Sequence, residues 1–248
     1  MEEQRLLWIF SYRELVYGLG FGVFTLFTFA PVLIFRRYGE LPSYLLNDEG
    51  VYESIAAVCV LAASILLFRH LLQKSPTEGV TRLRSEKSYL LFAFACGLFL
   101  LFLEEISWGQ QLIGMETPAF IKEVNYQGEL NLHNLTLIQD ANNSLSSQLF
   151  RFLRFCLTYG IILLWVFPSL RALAGKLRVP VPSLYIALLA LCAERFSRMC
   201  YSGIYGSGYK LDPEFNDTLR VGEIFEGNIE ILLLVYVLEI VWSKPKKL

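Results

Sequence analysis

The run Glu104-Glu105-Ile106-Ser107-Trp108-Gly109-Gln110-Gln111, continued by Asn125, Gln127, Glu129, Asn131, His133 and Asn134, gathers titratable and hydrogen-bonding side chains into residues 104–134. Carboxylates with one imidazole are ligands for Mn, Fe, Zn or Ca, according to geometry. Without a metal, two carboxylates in different surroundings can work as acid and base. Buried near arginine, they can also simply hold helices together. Glu104, Glu105, Glu129 and His133 are the candidate catalytic residues, and Glu105, Glu129 and His133 the candidate ligands of a divalent metal. If a helix continues through the run, Glu104, Ser107, Trp108 and Gln111 share one face, at offsets of three, four and seven. Glu129, Asn131 and His133 alternate with Leu130 and Leu132, which suits an extended or tightly folded segment with one polar side. Pro118 opens a short helix or ends a turn there, with Thr117 as a candidate cap. Trp108, Gln111, Asn125, Gln127, Asn131 and Asn134 are candidate substrate contacts. Trp108 suits an interfacial anchor, or a flat surface for a sugar or headgroup.

A second acidic group lies far along the chain. Glu223, Glu226 and Glu230 fall at offsets of zero, three and seven, so they share a helix face and join the candidate substrate contacts. Glu194 and Arg198, four apart, are spaced for a helical ion pair. The glycines of Tyr201-Ser-Gly-Ile-Tyr-Gly-Ser-Gly-Tyr209 permit tight turns between the two.

The elements that must position these groups are apolar blocks. Of 248 residues, 54% are hydrophobic and 18% charged, and mean hydropathy is +0.45. A soluble domain carries about 25% charged residues. A span needs about 20 mostly apolar residues. Six blocks qualify as the centres of spans: Leu15–Phe35, Ser54–Phe68 (extended by Val51 and Leu72), Tyr89–Leu103, Phe155–Leu170, Pro182–Ala193 and Asn228–Trp242. The third continues into Glu104 and Glu105. Glu194, Arg195 and Arg198 interrupt the fifth. Leu15–Phe35 has no charge and holds Gly18, Gly20 and Gly22, a small-residue pattern suited to helix contacts. The expected architecture is therefore all-α: one integral membrane domain over residues 1–248, a bundle of about six transmembrane helices with an outer polar loop at 104–150. A soluble bundle would instead show polar residues every third or fourth position on its outer faces.

Thirteen of the 22 Lys and Arg residues fall on the face that holds both termini and the 69–88 and 171–180 loops. Both termini are therefore expected in the cytoplasm, with 36–50, 104–150 and 199–227 outside. The first apolar block is too long for a cleaved signal and lacks a small-residue cleavage site, so it reads as an uncleaved anchor. Cysteines sit mainly in apolar stretches. Cys192 and Cys200 are near enough in sequence for a disulfide, but no CxxC spacing points to zinc or redox chemistry. Asn134, Asn142 and Asn216 open glycosylation-type triplets. Net charge is −1 and pI about 6.2, which disfavours a nucleic-acid partner. No phosphate-binding GxxxxGK[ST] loop or GxGxxG turn occurs, so no nucleotide partner is expected.

The stretch EEISWGQQ at 104–111 with NYQGELNLHNL at 125–135 resembles one found in an uncharacterised family of multi-pass bacterial membrane proteins. The resemblance implies an integral protein of the bacterial plasma (inner) membrane with a shared polar motif, and no particular activity. The alkaline-ceramidase type of hydrolase does not fit, because its zinc site requires three histidines and this chain has two, His70 and His133. Three functions follow from these features. One is a membrane-embedded enzyme acting at the non-cytoplasmic interface on a lipid or lipid-linked substrate. Another is an ion-coupled transporter, since intramembrane acids mark such routes. The last is a non-catalytic scaffold that docks an envelope protein or a second copy of itself.

Overall fold

In the computed structural model the described residues are 17, 18, 20–23, 25, 26, 30, 51–73, 79–86, 88–125, 128–132, 135, 152, 155, 159–177, 179–205 and 221–242. Of 85–86, 111–112, 196–205 and 221–225, the backbone alone is described. Among these residues the chain is all-α, with nine α-helices and no sheet. In chain order they are α1 (Val51–Leu72), α2 (Arg82–Glu86), α3 (Tyr89–Glu105), α4 (Gln110–Ile113), α5 (Ala119–Lys122), α6 (Ile161–Val166), α7 (Pro168–Lys176), α8 (Leu184–Tyr205) and α9 (Val221–Trp242). The described residues between 17 and 30 are also helical.

Four long helices form the body. Helix α1 packs between α3 and α9, and α9 also packs against α8. In α1, Glu53 lies in the first turn and Arg69 and His70 in the last, each complementing the helix dipole. Small and branched residues on its inner face, Val60, Ala63 and Leu67, meet Leu91, Ala95 and Leu98 of α3 and Val237 and Ile240 of α9. A smaller cluster joins Leu189, Ala190 and Ala193 of α8 to Leu232 of α9. The Ser64 hydroxyl donates to the Ala95 carbonyl at 3.0 Å, tying α1 to α3. A Cβ on Gly20 would lie 2.9 Å from Val235 Cγ2, so the absence of a side chain lets that helix approach α9 closely.

The outer faces are apolar. On α3 every exposed residue is nonpolar or aromatic: Tyr89, Leu90, Phe92, Ala93, Gly97, Phe99 and Leu100. On α1 the exposed set includes Val58, Ile65 and Leu72. Meanwhile Ser64, Asn228, Glu194 and Glu230 are buried. Apolar groups thus line these outer faces as well as the core.

Among the described residues one helix, Val51–Leu72, is long and apolar enough to cross a membrane, with a mean hydropathy of 2.2. Helix α3 has 17 residues, about 26 Å at the helical rise. Helices α8 and α9 are long enough but carry three and four charged residues.

Three expected spans have different bounds. The fourth does not run to Leu170: α6 ends at Val166, Phe167 is extended at φ −108° and ψ 103°, and Pro168 starts α7. Proline lacks the N–H a continuing helix needs and pushes its predecessor out of the helical region. The fifth is not interrupted at Glu194, because α8 runs on to Tyr205 with Glu194 turned into the bundle. The sixth begins earlier, at Val221. Cys192 is a free thiol, so the bridge to Cys200 does not form. Most of Leu15–Phe35, the 36–50 connection and the triplets at Asn134, Asn142 and Asn216 lie outside the described residues.

Candidate functional site

The motif at 104–111 does not continue the helix. Helix α3 stops at Glu105, and a 3₁₀ turn occupies Ser107–Gly109. Ser107, Trp108 and Gly109 all have positive φ, at 46°, 57° and 77°. For serine and tryptophan this conformation is unfavourable and must be held from outside. The holding groups are the motif's own. Ser107 Oγ donates to Glu129 Oε2, and Trp108 Nε1 donates to Glu104 Oε1 at 2.6 Å. The expected face of Glu104, Ser107, Trp108 and Gln111 is thus broken by the reversal, although Trp108 still reaches back to Glu104.

The second half of the motif folds over the first. Gly128, at φ 68°, turns the chain, and Asn125 bridges to Leu135 in an isolated antiparallel pair. Asn125 Nδ2 donates to Asn131 O at 2.7 Å and to Asn131 Oδ1 at 2.9 Å. Asn131 Nδ2 reaches Glu129 Oε2 at 3.3 Å and Ser107 Oγ at 3.4 Å. The Leu132 N–H donates to Glu104 Oε2 at 2.6 Å, and the Leu130 N–H to Gln110 Oε1 at 2.9 Å. Gln110 Nε2 also donates to Thr117 Oγ1. Thr117 therefore braces Gln110, and Pro118 is the residue that caps α5. Asn131 is buried and Glu129 half-buried, both on the side of Ser107.

These contacts commit Glu104 and Glu129 to holding a cap on the end of the bundle. Both oxygens of Glu104 accept from the cap, one from Trp108 and one from the Leu132 backbone. Gln110, which the sequence reading passed over, is buried and links three points of it. The signal available was its place in the motif between Gly109 and Gln111.

Beneath the cap lies a separate acidic cluster. The Glu105 carboxyl, at the end of α3, is within electrostatic reach of Glu226 and Glu230 of α9, Glu53 of α1 and Glu104. Among the described residues, every charged group acting on Glu105 is another glutamate. Glu230 is 4% exposed, and its charge also reaches Cys59 on α1. Two acidic groups separated by more than a hundred residues thus meet at one end of the bundle. Glu53 was not foreseen; a single acid near the start of an apolar helix carries no spacing signal.

Other expected members do not join. Glu129 faces Ser107 and Asn131 rather than Glu105. Gln127, His133 and Asn134 lie outside the described residues, as do the side chains of Gln111, Glu223 and Arg198. No group of three or more His, Cys, Asp or Glu placed to hold a metal ion occurs among the described residues. Of the expected metal set Glu105, Glu129 and His133, the histidine lies outside the described residues. His70 lies at the opposite end of α1, with Arg82 Nη1 at 3.2 Å from its Nε2.

Comparisons with protein-family models, with curated proteins and with solved structures find no match to this chain.

Proposed function

We propose that this chain is a multi-pass integral membrane protein, with both termini in the cytoplasm, that performs acid–base chemistry on a lipid or lipid-linked substrate at the opposite face. The resemblance of its motif to multi-pass bacterial membrane proteins supports placing it in a plasma (inner) membrane. Glu105 and Glu230 are the acid–base pair in this reading, with Glu53 and Glu226 setting their field. The observation that carries it is the convergence of glutamates from three helices at one end of the bundle, Glu105 of α3, Glu53 of α1 and Glu226 and Glu230 of α9, with Glu230 buried. Carboxyls held close together in different surroundings can divide the acid and base roles between them. The exposed apolar faces of α1 and α3 support the bilayer setting.

The test is complementation. Lipid extracts of the native host are compared by mass spectrometry after deletion of the gene and its return as wild type, Glu105→Gln or Glu230→Gln. The expected result is a lipid species that accumulates on deletion, clears with wild type and persists with either variant. Identical profiles in all four strains overturn the proposal.

A second reading is proton-coupled transport, favoured by the burial of Glu194 at 3% exposure and Glu230 at 4% inside the helix body. Intramembrane acids mark proton and cation routes. Proteoliposomes under a pH gradient would then acidify faster with wild type than with Glu230→Gln, and equal rates would remove this reading.

A further inference from the structure

The cap over the acidic pocket has its polarity inside out. Its hydrogen-bonding side chains, Ser107, Gln110, Thr117, Asn125 and Asn131, are all buried. Six of its large apolar side chains, Trp108, Ile113, Met115, Phe120, Val124 and Leu132, are exposed, Ile113 and Phe120 by about 70% and 69%, while Ile106, Ile121 and Leu130 are half-buried. A loop bathed in water does the reverse, since exposing such groups gains nothing and burying polar groups costs unless each is paired. Here the polar groups are paired with one another, which is what a segment out of reach of water requires. The apolar surface also continues an existing one: Phe99 and Leu100, exposed on the last turns of α3, lead through Ile106 into Trp108. Three exposed charged residues, Glu116, Lys122 and Glu123, lie between the apolar ones. That mixture suits the layer where acyl chains meet headgroups, as does a tryptophan.

We propose that residues 106–125 and 128–132 form an interfacial lipid-binding cap, seated in the headgroup–acyl boundary of the leaflet at that end of the bundle, and not a loop projecting into water. This inference rests on the membrane reading above. It deepens that reading, because a cap in this layer places the Glu105–Glu230 pair beside the headgroups of the surrounding lipid.

Depth-dependent fluorescence quenching tests it. The protein with Trp8, Trp165 and Trp242 changed to Phe retains Trp108 alone. Two companions lack Trp108 as well and carry Phe120→Trp in the cap or Phe99→Trp on α3. All three are reconstituted in phosphatidylcholine vesicles, with or without lipid brominated near the glycerol end of its chains, and with iodide on both faces. Trp108 and Phe120→Trp are expected to lose more emission to brominated lipid than to iodide. If only Phe99→Trp is quenched by lipid while both cap probes are quenched by iodide, the cap inference fails and the membrane reading stands. If iodide dominates at all three positions, both fail.

Discussion

The two ends of the helix bundle treat a carboxylate in opposite ways. At one end Glu239 of α9 accepts the Tyr17 hydroxyl on one oxygen and the Ser183 backbone N–H on the other, at 3.1 Å. Tyr17 is itself fixed, its ring 4.8 Å from that of Tyr185 and its carbonyl accepting from the Tyr185 hydroxyl at 2.7 Å. Nearby, Tyr236 donates to the Pro180 carbonyl and Trp165 Nε1 to the Pro182 carbonyl at 3.0 Å. Neutral donors surround the acid, and its contribution is to join helices. At the other end Glu105 lies within electrostatic reach of Glu230, Glu226, Glu53 and Glu104. Gathering like charges in a sheltered pocket opposes folding. In the function proposed above, that cost is borne for the acid–base work of the first group, while Glu239 serves the fold.

The largest effect that would break this contrast is functional. Glu105→Gln is expected to reduce complementation activity by about 10²–10⁴-fold, the usual worth of a positioned acid or base. Its unfolding midpoint in detergent should stay level or rise, since a repelled charge is removed. A protein that keeps its activity, or that unfolds earlier, would place Glu105 in the same class as Glu239. Next, Glu239→Ala leaves the Tyr17 hydroxyl and the Ser183 N–H without their acceptor, and should cost about 1–3 kcal/mol in denaturation measurements. Glu239→Gln keeps an acceptor and should cost less. In the cap, Asn125→Ala removes the donor to two Asn131 oxygens. About 1 kcal/mol is expected, seen as faster hydrogen exchange at Leu130 and Leu132 with the bundle unchanged. The smallest effect is that of Tyr17→Phe, about 0.5–1.5 kcal/mol for one hydrogen bond, read from the same denaturation curves.

Much of this contrast was legible in the residues. The apolar blocks marked the helix centres, and the offsets of Glu226 and Glu230 placed both on the face that meets Glu105. The proline at 168 was visible, although its consequence, a break between α6 and α7, had been absorbed into one span. What escaped has physical reasons. Left-handed backbone is signalled by glycine, yet the reversal after α3 begins on Ser107 and Trp108, where distant partners impose it. Charges at Glu194 and Arg195 read as an interruption, because whether a helix tolerates an acid depends on neighbours that the one-dimensional pattern does not contain. The division of labour between Glu104 and Glu105 was hidden for a similar cause: adjacent residues at a helix end point in different directions, one into the cap and one toward α9.

The hydrogen bond from Ser64 to the Ala95 carbonyl has a bearing on the acids themselves. Helices α1 and α3 run antiparallel, as the edge-on contact of Phe68 with Phe92 also shows. Glu53 lies eleven residues before Ser64, and Glu105 ten residues beyond Ala95. At about 1.5 Å per residue, a peg at that one point brings both side chains to nearly the same level. The serine thus works as a vernier for the pocket, and sliding one rod past the other by a single turn would separate the two acids by about 5.4 Å.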